Sequence, residues 1–363
     1  MPVNPPVPAH AARAETSRGR LVRAKAPLRI SFCGGGTDVP PYPERYGGCV
    51  LSCTIDKYSY VTLRRRDDND VVIRSLDFGL SVRYDRGEVS ARHDKLALVH
   101  AIIERFDAHG VDVYVHSDAP PGSGLGSSSS MVVALCAAFA RWSGRELARY
   151  DLAALAVEIE RHDLGIVGGL QDQYAAVFGG FNYMEFKRDE VIVNPLRLAE
   201  QTLNELHYHL LLCYTGGTRL SSHIVADQTR GVVDSDPRVI DSLAHLKTLT
   251  DRLKATLLTD RVDQFGAQLH EAWLHKQQLS GSISNSRIDE LYQTALSAGA
   301  WGGKLLGAGG GGYLLVCTPF TRRTAVADAL RGAGGQIVDF QFDAHGVRSW
   351  SARAETWLEG DDG

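Results

Sequence analysis

No apolar run in the 363-residue chain approaches the roughly 18 residues of a membrane-spanning helix. Neither sign of charge dominates. The 39 basic and 43 acidic residues leave a formal net charge of −4, too balanced to draw in a polyanion. Neither a membrane nor a nucleic acid is therefore expected as a partner. Cysteine is scarce as well. The six (Cys33, Cys49, Cys53, Cys136, Cys213 and Cys317) include no Cys-x-x-Cys pair, and ALCAAF and LLVCT set two of them among apolar neighbours. This disfavours a zinc centre or a disulfide framework and fits reduced, buried thiols in a cytoplasmic protein. The opening MPVNPPVPAHAARAETSRGR lacks the apolar core of a signal peptide and reads as a disordered tail.

What the chain does contain changes character along its length. At roughly 100–200 residues per domain, two domains are expected. Short segments rich in β-branched and aromatic residues come first (AKAPLRISFC, GCVLSCTI, SYVTLRRR, VVIRSL, LSVRYD), bounded by Gly, Asp or Asn. A helix over 95–109 follows, with Leu96, Val99, Ile102, Ile103 and Phe106 at helical spacing. Next is a strand in which Val111, Val113 and Val115 alternate, and then helices over 128–142 and 150–163. The second half is more helical. DSDPRVIDSLAHLKTLTDRLKATLL and DRVDQFGAQLHEAWLHKQQL read as an antiparallel hairpin, capped by Asp234 or Ser235 with Pro237 in the first turn. A third helix ends at Gly299, and strands around GKLLGAG, GYLLVCT, QIVDFQF and VRSWSAR accompany a last helix. The layers are α+β. We place one domain at residues 23–198 and a second at 199–358, between tails at 1–22 and 359–363.

One stretch carries chemistry on its face. PPGSGLGSSSS, Pro120 to Ser130, joins a strand to a helix. Its glycines let backbone N–H groups approach a guest closely, and the helix start adds unpaired donors and partial positive charge. The guest that suits such a loop is a phosphate. A tight turn with a serine cap is the plainer alternative, but it needs fewer than three glycines and four serines. Other phosphate signatures fail. No G-x-x-x-x-G-K-[ST] occurs. GAGGGG, Gly307 to Gly312, formally fits G-x-G-x-x-G, yet the strand-like YLLVCT follows where a dinucleotide fold needs a helix. LDFG at 76–79 mimics a protein-kinase motif without the His-Arg-Asp loop that supplies its base.

Two carboxylates raise questions of their own. Glu160 shares a helical stripe with Ala153, Ala156 and Val157. A charge there is costly unless it is paired, for example with Arg161, or bound to a metal. Asp172, in GGLQDQYAAVFGG, reads either as a general base or as a capping or surface residue after Gly168 and Gly169.

PPGSGLGSSSS resembles the central phosphate loop of the GHMP kinases, which include galactokinase, homoserine kinase, mevalonate kinase and phosphomevalonate kinase. APLRISFCGGGTD (Ala26 to Asp38) and KLLGAGGGGYLL (Lys304 to Leu315) are similar to the family's first and third motifs, in order. The resemblance spans the chain from Lys25 to the last strands. CGGGTDVPPYPERYGG and GGLQDQYAAVFGG look most like the branch of sugar kinases that acts on D-glycero-D-manno-heptose 7-phosphate. The resemblance implies a first domain like domain 2 of ribosomal protein S5, a ferredoxin-like second domain, and an active site in the cleft between them. It implies ATP and Mg²⁺, and transfer to the anomeric hydroxyl of heptose 7-phosphate to give the 1,7-bisphosphate for nucleotide-heptose and surface polysaccharide synthesis. Another C1 sugar kinase, for galactose or L-fucose, or a non-catalytic sensor of sugar and nucleotide on the same scaffold, are the alternatives. A homodimer is left open.

By motif position, the resemblance makes Asp172 the acceptor of the hydroxyl proton and Arg29 the basic residue directed at the transferring phosphate. Gly122, Ser123, Gly124, Leu125, Gly126, Ser127, Ser128 and Ser129 correspond to the loop around the phosphates of ATP. Glu160 and Ser128 correspond to Mg²⁺ ligands, with Ser127 and Ser129 as rivals for the serine. Gly35, Gly36, Thr37, Asp38, Gly309 and Gly310 fall at the sugar site, Asp38 as a hydroxyl acceptor. One departure is informative. Galactokinases and mevalonate kinases carry Glu-His where this chain has Gly35-Gly36, which opens space, removes a negative charge and suits a bulkier, anionic acceptor. Arg219 or Lys304 would then meet the acceptor's phosphate. The glycines of GAGGGG would let the second domain come close to the cleft.

Overall fold

A computed structural model describes residues 20–84, 96–188, 190–217 and 222–353. The expected tails, save for Arg20 to Val22, lie outside the described residues; those three open the first strand instead. The first half runs β1 (Arg20–Cys33), α1 (Tyr42–Tyr46), β2 (Gly48–Arg65), β3 (Val71–Ser75), β4 (Leu80–Tyr84), α2 (Ala97–Arg105), β5 (Val111–Ser117), α3 (Ser127–Trp142) and α4 (Arg149–Val157). A π-helical turn (Glu158–Asp163), α5 (Gln171–Phe178), β6 (Phe181–Phe186) and β7 (Val191–Pro195) complete it. The second half runs α6 (Glu200–His209), β8 (Leu210–Tyr214), α7 (Ser222–Val233), α8 (Pro237–Leu258), α9 (Phe265–Gln277), α10 (Ser286–Ser297) and β9 (Gly302–Leu305). It ends with β10 (Tyr313–Cys317), α11 (Arg323–Gly332), β11 (Gln336–Val338) and β12 (Arg348–Arg353).

The first sheet is ordered β12-β1-β2-β5-β3-β4, with β6 on β2 and β7 on β6. GCVLSCTI and SYVTLRRR are not two strands but one, β2, whose first half pairs with β6 and second half with β5. Pro27 would interrupt a central strand, and the register shifts beside it, between Pro27 and Leu28. Helix α3 is buried almost all round, with Val132 to Ala140 inaccessible without a break, so its N-terminus and the serines there are held firmly in place.

The second sheet is ordered β11-β8-β10-β9. The expected hairpin is α8 and α9, but the cap of α8 is Asp236, whose side chain accepts the Arg238 N–H at 3.0 Å. Asp234 instead closes α7 through Arg230 O, and Ser235 is the left-handed turn residue between the helices. The two units share a core in which Leu28, Ile30 and Phe32 of β1 meet Phe265, Trp273 and Leu315. Phe32 lies edge-on to Phe265 with centroids 5.3 Å apart. One strand crosses the expected boundary: β12 lies antiparallel to β1, so residues 348–353 belong to the first sheet.

All six cysteines are buried free thiols, as their apolar settings suggested. Burial pushes Cys136 up to about 12 and Cys49 up to about 11. Among the described residues no helix is long and apolar enough to cross a membrane.

Candidate active site

The cleft lies along the seam of the two units, where the three glycine-rich stretches converge. At its phosphate loop, α3 begins behind Gly126, whose φ of 75° is left-handed and which offers no side-chain cap. None of the four serines caps the helix. Ser127 Oγ donates to Pro120 O, Ser128 and Ser129 donate to Glu160, and Ser130 Oγ donates to Pro27 O. The N–H groups of residues 124 to 129 consequently have no partner among the described residues. Such a run of free donors at a helix start suits a phosphate chain. The glycines are sterically required. Gly124 has a φ of 88°, and a Cβ there would lie 2.6 Å from Leu306 O.

Ser123 departs from its expected role. Its N–H donates to Pro120 O at 3.2 Å and its side chain is wholly buried, while its carbonyl accepts the N–H of Tyr313 across the seam at 3.0 Å. It braces the loop; its hydroxyl is buried without a partner among the described residues, and it does not line the cleft. Leu125 sends its side chain into the core, leaving only its backbone N–H.

Arg29 and Asp172 come together although 143 residues apart. Arg29 Nε donates to Asp172 Oδ1 at 2.7 Å, a second guanidinium nitrogen meets the same oxygen at 2.7 Å, and Nη1 donates to Gly124 O at 2.6 Å. Oδ2 has no hydrogen-bond partner among the described residues, and a Cβ on Gly126 would stand 3.3 Å from it. Asp172 sits in the first turn of α5 but does not cap it, so the capping reading does not hold.

Asp38 is fully buried on the cleft wall. Its Oδ1 accepts the Gly36 N–H at 3.0 Å and Gln171 Nε2 at 3.1 Å; its Oδ2 accepts the Gln171 N–H at 3.1 Å. Burial raises its pKa, and those hydrogen bonds oppose the rise. Gln171, which the sequence reading passed over, is thus the link between the first motif and the start of α5. Gly35 lines the cleft beside Gln171 and Ser31, and Gly36 follows it. Thr37 does not line the cleft. Its buried hydroxyl lies 2.7 Å from Gly34 O and accepts the Cys49 N–H at 3.0 Å, which locks the turn and leaves no contact for a sugar.

The helix expected over 150–163 gives way after Val157 to the π-helical turn, a feature that concentrates at functional sites. This turn carries Glu160, which is buried beneath the start of α3. Its Oε1 accepts Ser128 Oγ at 3.1 Å, and its Oε2 accepts Ser129 Oγ at 2.7 Å and Gln173 Nε2 at 2.6 Å. Arg161 approaches Oε1 at 3.4 Å, so the ion pair foreseen as an alternative is present as well. Of the residues Ser127 to Ser130, only Ser128 is not fully buried.

The second unit closes the cleft. A Cβ on Gly307 would collide with Gly124 Cα, and one on Gly312 with Ser123 O, so GAGGGG does allow close approach. Gly309 lines the cleft. Gly310 is turned away, its N–H on Ile283 O at 2.8 Å and its carbonyl on Asn285 Nδ2 at 3.2 Å. Lys304 lies buried on the cleft wall with Nζ on Ser31 O at 2.7 Å. Arg219 lies outside the described residues.

A cleft with free amides on one wall and a carboxylate oxygen left open beside them is built for phosphoryl transfer. Comparison with known proteins agrees. The model of the GHMP kinase N-terminal domain matches residues 95–180, and that of the C-terminal domain matches residues 253–336. The chain is 36% identical over 338 residues to D-glycero-alpha-D-manno-heptose 7-phosphate kinase of Campylobacter jejuni, covering 91% of this chain and 99% of that one. The crystal structure of a D-glycero-D-manno-heptose 1-phosphate kinase from Bacteroides thetaiotaomicron is 33% identical, with a TM-score of 0.76 over 91% of this chain and 98% of that one. Lactococcus lactis galactokinase complexed with galactose, at 20% identity and a TM-score of 0.70 over 91% of this chain and 95% of that one, shares the fold. The chain belongs to the GHMP kinase family. It is a phosphotransferase, and ATP is its phosphoryl donor.

Proposed function

We propose that this protein transfers the terminal phosphoryl group of ATP to the anomeric hydroxyl of D-glycero-alpha-D-manno-heptose 7-phosphate, giving the 1,7-bisphosphate. The observation that carries this reading is Asp172, held by Arg29 on Oδ1 and left open on Oδ2 beside the free amides of the phosphate loop. The choice of sugar rests on the similarity to the C. jejuni enzyme, whose whole length this chain matches.

The N–H groups of residues 124–129 take the phosphate oxygens of ATP. Asp172 Oδ2 accepts the proton of the attacking hydroxyl, which is the open oxygen of the pair. Arg29 fixes the carboxylate and lends positive charge to the transferring group. Gly35 and Gly36 leave room for a large acceptor. The buried Glu160 fits a hard divalent cation: its two oxygens already gather the hydroxyls of Ser128 and Ser129. Among the described residues no cluster of three or more His, Cys, Asp or Glu could hold a metal by itself. Glu160 and Ser128 would therefore hold Mg²⁺ together with phosphate oxygens and water, and bound there it would neutralise phosphate charge.

A coupled ADP-release assay over heptose 7-phosphate, the unphosphorylated heptose, galactose and L-fucose tests the reading. Preference for heptose 7-phosphate is expected; faster turnover of galactose or L-fucose would overturn the acceptor assignment.

A further inference from the structure

Two lysines lie buried in the cleft, and neither meets a carboxylate among the described residues. Lys304, on β9, spends one N–H on Ser31 O at 2.7 Å. Lys276, on α9, continues the buried stripe of Phe265, Leu269 and Ala272; its Nζ donates to Leu305 O at 3.0 Å and to Gly307 O. An ammonium has three donors, so two remain on Lys304 and one on Lys276. Burying a charge is costly unless it is paired, and two unpaired ammonium groups near Arg29 compound that cost. Neither nearby acid pairs with them in this structure. Asp172 Oδ1 is held by Arg29, and both oxygens of Asp38 are held by Gln171. One more donor waits beside them: Ser31 Oγ lines the cleft, buried and without a partner among the described residues.

This corner therefore carries excess positive charge and unspent donors, which is the chemistry of an anion site. The phosphates of the nucleotide have their own seat in the amides of residues 124–129. We propose that Lys276 and Lys304, with the Ser31 hydroxyl, seat the acceptor's own phosphate group. The proposal rests on the kinase reading above and makes these lysines the residues that select a phosphorylated acceptor over a neutral one. The low proton affinity that burial imposes on both lysines agrees with a site that lacks its counter-anion.

The test has two arms. In the first, the melting temperature of the full chain is followed against inorganic phosphate, with the nucleotide site filled by a non-hydrolysable ATP analogue. Wild type is expected to rise saturably and Lys304→Met not to respond; an equal response in both overturns the proposal. Should Lys304→Met fail to fold, Lys304→Gln and Lys276→Met carry the same comparison. In the second arm, the kcat/KM ratio of heptose 7-phosphate to unphosphorylated heptose should fall by roughly 10–100-fold in each lysine variant, from the strength of hydrogen bonds to charged groups. Proportional loss on both acceptors would reduce the lysines to braces of the glycine loop. The phosphate arm involves no turnover, so a wild type that binds phosphate at Lys304 but ignores heptose would cost the acceptor assignment and leave this seat standing.

Discussion

Arg29 grips one oxygen of Asp172 with two nitrogens, each at 2.7 Å, and the other oxygen has no hydrogen-bond partner among the described residues. The carboxylate is thereby oriented without being consumed. Asp172→Asn should lower turnover by about 10²–10⁴-fold, the usual contribution of a general base. Binding of a fluorescent ATP analogue should persist in that variant. Full turnover in Asp172→Asn would remove the proton-acceptor role.

Arg29→Lys keeps the charge but cannot reproduce the double contact together with the bond to Gly124 O. The expected outcome is a drop in kcat larger than any change in KM for ATP. A steady-state comparison of the two constants checks this, and an effect on KM alone would assign Arg29 to nucleotide binding.

Glu160→Gln removes the carboxylate charge beneath the loop serines while keeping the size of the side chain. The Mg²⁺ concentration for half-maximal rate should rise by about tenfold or more, since ligand charge sets affinity for hard cations. Magnesium titrations of both proteins decide it; superimposable curves would leave Glu160 a structural partner of Arg161 and Gln173.

Gly124→Ala forces a side chain into the left-handed region, at about 1–3 kcal/mol, and drives a methyl group toward Leu306 O. Lower thermal stability together with weaker nucleotide binding is expected, because the same strain separates the units and disturbs the amides. Melting curves with and without ATP measure both effects.

Burial pulls Lys304 from 10.5 down to about 8; the neighbouring Cys33 opposes the shift and Arg29 adds to it. Between pH 8 and 10.5 the unfolded chain keeps a proton that the folded protein has released, so stability rises with pH across that window. Buried Lys276 acts in the same direction. Without ligand, Lys304→Met should melt above wild type at pH 7, and the gap should narrow toward pH 10. A gap that widens with pH would contradict the shift.

Much of this site was legible in the sequence because its chemistry is local. Glycine spacing reports backbone that must come close, and Glu160 betrayed itself as a charge on an apolar stripe. The same reasoning would have found Lys276, which occupies the stripe of Phe265, Leu269 and Ala272 on α9. What stayed hidden depends on partners far along the chain. Thr37 faces Cys49 and Gly310 faces Ile283, so their neighbours within a motif say nothing about their direction. Ser123 looks like any other loop serine until Tyr313 arrives from the second unit. Nor does a composition shift near residue 200 reveal that the last strand goes home to the first sheet.

That homecoming governs how the enzyme can be opened or cut. With Arg353 registered against Arg20, the second half is an excursion out of the first and back, tethered twice like a jaw on a double hinge. Chain crossings at both ends of the second half, together with the core it shares with the first, hold the two walls of the cleft together. Truncation before residue 348 would not release a clean N-terminal fragment; it would strip a border strand from the scaffold that carries Arg29.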